Sequence, residues 1–444
     1  MTTPAATAPG LIVAAPSSGS GKTVFTLGLI RHWARAGVAV ASAKVGPDYI
    51  DPAFHAAASG RPCLNLDPWA MRAATLASAF EKLARAGEII VCEGVMGLFD
   101  GATVDSGSTA DLAIASGWPV VLVVDAHAQA ASAAAVVRGF AMHRPGVSVT
   151  AVVFNRVGGE RHAALLREAC AREVPEIPVL GCLPGTEGLK LPERHLGLVQ
   201  AGEHPRLAAF LDHSAELIGA HVDTSALRAL ARPARIAFSG DTAVPVTPIG
   251  QRMAVADDVA FAFRYPLVLE GWRASGAEIM PFSPLADEPP SEAADAVYLP
   301  GGYPELHAGT LAGSACFLEG LRGAARRGAV VFGECGGYMM MGQGLVDAAG
   351  HRHAMAGLLP LETSFADRRL HLGYRDASLL RDCPLGAEGA RFRGHEFHYA
   401  RTLREGPGEP LFVCRDAGGR ALGATGLVAG RVMGSFIHLI DTAG

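Results

Sequence analysis

Residues 11–23 read LIVAAPSSGSGKT, an apolar run that enters a loop of serines and glycines and closes on Lys22 and Thr23. A stretch of helical period, VFTLGLIRHWARAG, follows directly. Strand, glycine loop and helix in that order form the frame of a phosphate-binding loop, G-x-x-x-x-G-K-[ST]. The glycines let backbone N–H groups around Ser20 and Gly21 turn toward a polyphosphate. Lys22 would reach the terminal phosphates, and the Thr23 hydroxyl would bind Mg²⁺. Pro16 stands where the pattern has its first glycine. An extended entry into the loop tolerates it, because proline fixes only φ and removes one donor. The bland alternative is a Ser/Gly turn that only caps a helix.

Further short apolar segments alternate with Ala/Leu-rich stretches of helical period: residues 38–43, 88–94, 119–126, 148–155 and 178–184 all read as strands. Several are apolar on both faces, as parallel strands covered by helices on both sides are. The fold class expected is therefore α/β, doubly wound, with functional loops at the carboxyl ends of the strands. Residues 231–251 are rich in Pro, Gly, Ser and Thr, and a second α/β series follows in RMAVAD, GAEIMPFSP, AVYLPGG, AVVFGECGG and RVMGSFIHL. A boundary near residue 246 divides the chain into 1–245 and 246–444. At roughly 150 residues per domain, 444 residues accommodate such a division.

Composition narrows the class. Lys and Arg total 38 against 43 Asp and Glu, with no basic block, which argues against nucleic acid as a partner. The apolar runs are strand-sized, far short of the roughly 20 residues of a membrane span. MTTPAATAPG lacks the basic start and apolar core of a signal peptide. Eight scattered cysteines without a C-x-x-C pair fit reduced thiols in the cytoplasm.

Carboxylates follow the other strands beside the phosphate loop. Asp48 and Asp51 lie in KVGPDYIDP, Glu93 and Asp100 in CEGVMGLFDG, and Asp125 ends VVLVVDA. Singly each could be an ordinary loop acid. Together they suit Mg²⁺ coordination or the handling of an anionic substrate. Lys44, at the end of the second strand, could offset charge on a transferring phosphoryl group. Asn155 in FNRVGG could hydrogen-bond a nucleobase.

The second series carries a different chemistry. Cys335 sits in G-x-C-x-G between a strand and a helical stretch, the nucleophile-elbow pattern with cysteine in the serine position. The following helix N-terminus is expected to lower the thiol pKa. The Gly336 N–H can donate to an oxyanion, and a second donor is available at Gly302 in LPGGYPE. His438, expected just after the last strand, is the candidate base, with His395 and His398 in GHEFHYA as competitors. A buried structural thiol is the plain alternative.

APSSGSGKT, KVGPDYIDP, CEGVMGLFDG, LPGGYPELH, GECGGYM and GHEFHY, in that order, resemble the cobyrinic or hydrogenobyrinic acid a,c-diamide synthases. The first part is similar to the dethiobiotin-synthetase-like branch of P-loop proteins, where a missing first glycine is normal. The second is similar to the class I glutamine amidotransferases of flavodoxin-like fold. The resemblance implies a two-site ligase. Cys335 and His438 would release ammonia from glutamine. ATP would phosphorylate the a and c acetate carboxylates of a corrinoid, and ammonia would displace phosphate.

By the same resemblance, Ser20, Gly21, Lys22, Thr23, Lys44 and Asn155 would handle ATP. Thr23, Asp48 and Glu93 would hold Mg²⁺, and Asp48, Tyr49, Ile50, Asp51 and Asp100 would line the substrate region. A homodimer is left open. One position departs from the amidotransferase pattern: two residues after His438 the usual glutamate is Ile440, and the nearest acid is Asp441.

Three other readings compete. One is a P-loop switch ATPase with a non-catalytic interaction module, another a stand-alone cysteine hydrolase, and the third an amide synthase for another tetrapyrrole. The elbow opposes the first and the phosphate loop the second. Alanine- and arginine-rich composition leans toward the metal-free hydrogenobyrinic acid.

Overall fold

Four segments of the first half are fully buried strands, and a fifth is buried but for its last residue, Asp125, so their apolar side chains on both faces require cover on both sides. A computed structural model describes residues 8–185, 193–194, 197–198, 200–236 and 243–443. Part of the 231–251 stretch, residues 237–242, lies outside the described residues. The chain divides into two compact units, one of residues 1–69 and 76–241, the other of 70–75 and 242–444.

The first unit contains β1 (Gly10–Ala14), α1 (Lys22–Arg35), β2 (Val40–Val45), α2 (Asp51–Ser59), β3 (Cys63–Leu66), α3 (Ala73–Ala86), β4 (Ile89–Glu93), α4 (Thr109–Ser116), β5 (Val120–Asp125), α5 (Ser132–Met142), β6 (Val149–Val157), α6 (Glu160–Glu173) and β7 (Val179–Pro184). The first three residues of α3 cluster with the second unit. A two-stranded ribbon of β8 (Glu193–Arg194) and β9 (Gly197–Leu198), then α7 (Leu207–His221) and α8 (Thr224–Leu230), complete it. The seven long strands form one parallel sheet in the order β3-β2-β4-β1-β5-β6-β7. β3 was not foreseen: CLNL is too short a run to announce itself, and only pairing with β2 makes it a strand.

This order places β4 between β1 and β2. In register, Glu93 lies beside Lys44 on one side and beside Val13 on the other. The phosphate loop leaves β1 at the same level, so three sequence-distant loops meet at the carboxyl edge of the sheet.

The second unit contains β10 (Arg252–Ala256), α9 (Pro266–Ala274), β11 (Glu278–Phe282), β12 (Ala296–Leu299), α10 (Ala308–Gly313), α11 (Ala315–Arg326), β13 (Val330–Glu334), α12 (Gly336–Met341), β14 (Gly344–Val346), β15 (Arg352–Ala354), β16 (Leu361–Ser364), β17 (His371–Leu379), β18 (Arg391–His398), β19 (Arg401–Glu405), β20 (Glu409–Arg415), β21 (Ala421–Ala429), β22 (Val432–Ser435) and β23 (Ile437–Ala443). Its main sheet runs β11-β10-β12-β13-β22-β21-β20-β17-β18-β23. The first five strands are parallel and the remainder are antiparallel. The sequence reading foresaw the parallel part and not the antiparallel extension.

RVMGSFIHL, read as one late strand, is two. β22 ends at Ser435 beside the elbow strand β13, and β23 begins at Ile437 beside β18. The break falls at Phe436, whose ring stacks on His398 with centroids 4.1 Å apart and meets Tyr338 edge-on at 5.2 Å. His438 is therefore inside the last strand, opposite His395, and not after it.

Within the second unit, Asp441 is fully buried and accepts from Arg72 through its backbone N–H (2.7 Å), Nε (3.0 Å) and Nη2 (2.8 Å). Arg72→Ala is expected to cost roughly 3 kcal/mol, the low end for breaking a buried pair, because the arginine keeps part of its side chain in water. Chemical denaturation checks this, and adding Asp441→Asn to the same chain should recover part of the loss.

Candidate active site

The phosphate loop forms around two glycines in the left-handed region, Gly19 (φ 78°) and Gly21 (φ 93°). Gly21 is the N-cap of α1, so the loop's N–H groups and the helix terminus face one space. Lys22 Nζ donates to the Met96 carbonyl at 2.6 Å, and Met96 itself has φ 47°. Leu98 N–H donates to the Ala15 carbonyl at 2.8 Å, which ties the loop after β4 to the loop after β1. Burial and the neighbouring Lys44 charge bring the Lys22 ammonium down to about 8.

Glu93 is fully buried at the centre. Its Oε1 accepts from Thr23 Oγ1 at 2.7 Å and from Lys44 Nζ at 2.9 Å. Its Oε2 lies 2.6 Å from His55 Nε2. Lys44 Nζ also donates to Asp51 Oδ2 at 2.6 Å. Burial would raise the Glu93 carboxyl, but Lys44 and His55 outweigh it and hold it well below the usual range. Burial opposes the Lys44 charge, and Asp51 with Glu93 overcomes that and lifts it. Asp51, buried beside the Asp48 carboxylate, is pushed up to about 7. His55 is the functional neighbour the sequence reading missed. It lies four residues after Asp51 on α2, the spacing that puts two side chains on one helix face.

The other expected residues fall into three groups. Asp48 Oδ1 accepts from the N–H groups of Ile50 (2.8 Å) and Asp51 (3.1 Å), so half of its carboxylate fixes the start of α2. Tyr49 and Ile50, expected to line the substrate region, are 7% and 6% exposed, so they pack inward. Asp100 Oδ2 accepts from Gly97 N–H at 2.9 Å and faces an open cavity. Asn155 Nδ2 donates to the Ser20 carbonyl at 3.0 Å, so its amide steadies the phosphate loop as well as lining a small cavity with Gly21, Leu183 and Pro184. Asp125 pairs with Arg156, which donates to the Gly19 carbonyl at 2.9 Å. It therefore stands apart from the Glu93 cluster.

In the second unit the elbow is sterically exact in its demands. A Cβ at Gly337 would lie 1.9 Å from the Leu299 carbonyl oxygen, and one at Gly333 would lie 2.7 Å from the Gly337 carbonyl carbon. Cys335 itself has φ 48°, and its N–H donates to the Ser435 carbonyl at 2.8 Å. A Cβ at Gly336 would lie 3.0 Å from the Gly302 nitrogen, so the two expected oxyanion donors are neighbours. A Cβ at Gly301 would meet His438 Cε1 at 2.2 Å and Cys335 Cβ at 3.2 Å. Cys335 and His438 thus converge over a glycine that leaves the space between them open.

The thiol differs from the expectation. Burial, with the Glu305 and Glu396 charges, pushes Cys335 well above the ordinary thiol range, and the Gly336 N–H only partly offsets this. A six-residue helix is too short to reverse it. Burial brings the His438 imidazole down to about 3. Asp441 is taken by Arg72, and Ile440 is a buried apolar side chain. The carboxylate whose field reaches both Cys335 and His438 is Glu396, the third residue of GHEFHYA. It holds His398 at 2.9 Å and Arg375 at 2.8 Å.

His371, Glu396 and His398 could offer three ligand atoms to a metal, within 4.8 Å of one another. The two imidazoles are stacked with 6° between their planes, so their in-plane lone pairs run side by side and do not converge. With Arg375 already on Glu396, the cluster is an ion-pair network.

Two measurements check these electrostatics. Glu93→Gln leaves Lys44 and His55 with only Asp51 and should destabilise the first unit by roughly 3–5 kcal/mol in denaturant titration. Glu334, buried beside Tyr298 Oη (2.6 Å) and Leu439 N–H (3.0 Å), is raised from 4.5 to about 7. Its raised folded value contributes stability that is full below 4.5 and lost as the pH rises through about 7. The stability difference between wild type and Glu334→Gln should therefore shift against wild type across that window and flatten above it.

Known families match both units. A CobQ/CobB/MinD/ParA nucleotide binding domain fits residues 11–199, and a CobB/CobQ-like glutamine amidotransferase domain fits residues 252–443. Hydrogenobyrinate a,c-diamide synthase of Rhizobium meliloti (strain 1021) is 54% identical over 97% of this chain and 99% of its own. The protein of that name from Agrobacterium fabrum (strain C58 / ATCC 33970) is 49% identical over 99% of this chain and 100% of its own. Matches at this identity along the whole chain, on both sites just described, place it: the chain belongs to the hydrogenobyrinate a,c-diamide synthase family.

Proposed function

We propose that this chain converts the a and c acetate carboxylates of hydrogenobyrinic acid to amides, using ATP and ammonia drawn from glutamine. The observation that carries this reading is the pairing of a phosphate loop backed by Thr23, Glu93 and Lys44 with a cysteine elbow facing His438. Carboxylates are poor electrophiles at neutral pH, so amide formation needs both an activating phosphate and a nitrogen source. The name shared by the full-length relatives favours the metal-free tetrapyrrole.

In the first unit, a substrate carboxylate oxygen attacks the γ-phosphorus of ATP and ADP leaves. Ammonia then adds to the acyl carbon, phosphate departs, and the amide loses a proton. Lys22, whose pKa burial and Lys44 lower to about 8, stays largely charged at neutral pH and sits where it can follow charge onto the bridging and terminal oxygens. Thr23 Oγ1 and Glu93 Oε1, hard oxygens 2.7 Å apart, fit Mg²⁺, with the free oxygen of Asp48 as a further candidate. When bound, the ion would neutralise charge on the phosphates. Lys44 and His55 hold Glu93 ionised, so the donor set is charged before ATP arrives.

In the second unit, His438 takes the Cys335 proton as sulfur adds to the glutamine side-chain carbonyl. The N–H groups of Gly302 and Gly336 receive the oxyanion. The proton passes to the departing ammonia, and water then cleaves the thioester to glutamate. Thiol and imidazole both rest neutral, so glutamine must enter before the pair becomes charged. No helix among the described residues is long and apolar enough to cross a membrane.

The test presents hydrogenobyrinic and cobyrinic acids separately, with either glutamine or ammonium salts, and follows diamide formation by mass. Cys335→Ala should abolish amidation from glutamine and keep it from ammonia. Lys22→Ala should lower it roughly 10²–10³-fold from either source, as loss of one transition-state donor does. Failure of Cys335→Ala with both sources, in a folded protein, would overturn the two-site reading.

A further inference from the structure

An open cavity of about 650 Å³ lies between the loop after β4 and the end of α5, in contact with Met96, Phe99, Asp100, Val104, His143 and Arg144. A second, of about 360 Å³, continues along α5 past Ala135, Val136, Gly139 and Phe140 and shares Phe99 and His143 with the first. Together they make one groove of the size that holds a large ligand. Its wall is an aromatic stack: Phe99 lies 5.3 Å from Phe140 at 25°, and His143 lies 4.5 Å from Phe99. Val104 and Met96, which line it, are 95% and 43% exposed, apolar side chains in water beside an aromatic wall.

One end of this groove is the phosphate site. Met96, on its rim, receives Lys22 Nζ on its carbonyl, and Asp100 lies on the wall. A molecule lying in the groove would present one edge to the phosphoryl group. Arg144, aimed by Asp111 at 2.6 Å, and His143 supply cationic or hydrogen-bonding character to that wall. The substrate class that matches is a broad, apolar ring bearing carboxylates at its periphery. We infer that this groove is where the tetrapyrrole lies, its ring face against Phe99, Phe140 and the flat Ala135–Gly139 face of α5, with one acetate reaching Lys22. The inference rests on the function proposed above and deepens it, since it assigns the substrate to residues that neither the phosphate loop nor the acidic cluster includes.

Gly139 gives a clean test. A Cβ there meets nothing within 4 Å, so a larger side chain starts in open space and projects into the groove. Leucine is also the better helix former, so Gly139→Leu should fold with an unchanged or higher Tm. Ala135→Leu probes the same face independently. For each variant, KM for hydrogenobyrinic acid should rise at least tenfold, while the Kd for MgATP, measured by calorimetry without tetrapyrrole, stays within twofold. An unchanged KM in both folded variants overturns the inference. So does a wild-type dimer that Gly139→Leu converts to monomer in sedimentation without altering KM, since the face would then be a contact between copies. Wild type assayed alongside separates the two levels: if it does not amidate hydrogenobyrinic acid, the function itself is at fault, whatever the variants do.

Discussion

The buried Glu93 carboxylate is the constraint on which the first unit depends. It has no water to solvate it, so its charge survives only because Lys44, Thr23 and His55 surround it. Each partner comes from a different segment: Lys44 from β2, Thr23 from the first turn of α1 and His55 from α2. A parallel sheet with β4 between β1 and β2 is the arrangement that delivers all three. Two anions, Glu93 and Asp51, face two basic groups, Lys44 and His55, so a charge removed from any one falls on the rest. The same network leaves oxygen donors beside a ring of loop N–H groups. Fold stability and phosphate chemistry therefore draw on one set of contacts.

The second unit solves the opposite problem. Its nucleophile is held neutral, in a strained backbone conformation that two glycines make sterically accessible. Charge develops there only during reaction, and the groups that would meet it are dipoles: backbone N–H groups, and an imidazole with the Glu396 field behind it. A preformed thiolate would react with any electrophile that entered. A neutral pair waits for a carbonyl placed between the two glycine donors.

Much of this was legible in the sequence because local chemistry enforces it. A glycine loop ending in Lys-Thr after an apolar strand has few other uses, and G-x-C-x-G is demanded by backbone approaches of 1.9 Å at Gly337 and 2.7 Å at Gly333, which leave no room for a Cβ. What escaped notice depended on distant pairing. β3 is a strand only because β2 offers it an edge, and His55 matters only because α2 returns over Glu93. Asp441 is the acid nearest His438 in sequence, one position beyond the usual glutamate. Alternation along β23 and Arg72 turn it to a structural task. The thiol expectation failed for a quantitative reason: a helix dipole contributes a fraction of a charge over its first turn, and complete burial outweighs it.

The contrast between the two sites also bears on their timing. The acidic cluster is charged at rest and needs only MgATP and a carboxylate to begin. The cysteine pair is neutral at rest and sits close to Glu396, whose two oxygens are shared between His398 and Arg375. Any shift of β17 or β18 that loosened Glu396 from Arg375 would strengthen its field at His438, raise the imidazole's proton affinity and favour the charged pair. These strands extend the sheet from the antiparallel side, outside the parallel core that fixes the elbow. His438 itself is tied to the elbow, since the next residue, Leu439, donates its N–H to Glu334 of β13 at 3.0 Å, so such a shift would change the field at the base while leaving its place beside Cys335 fixed.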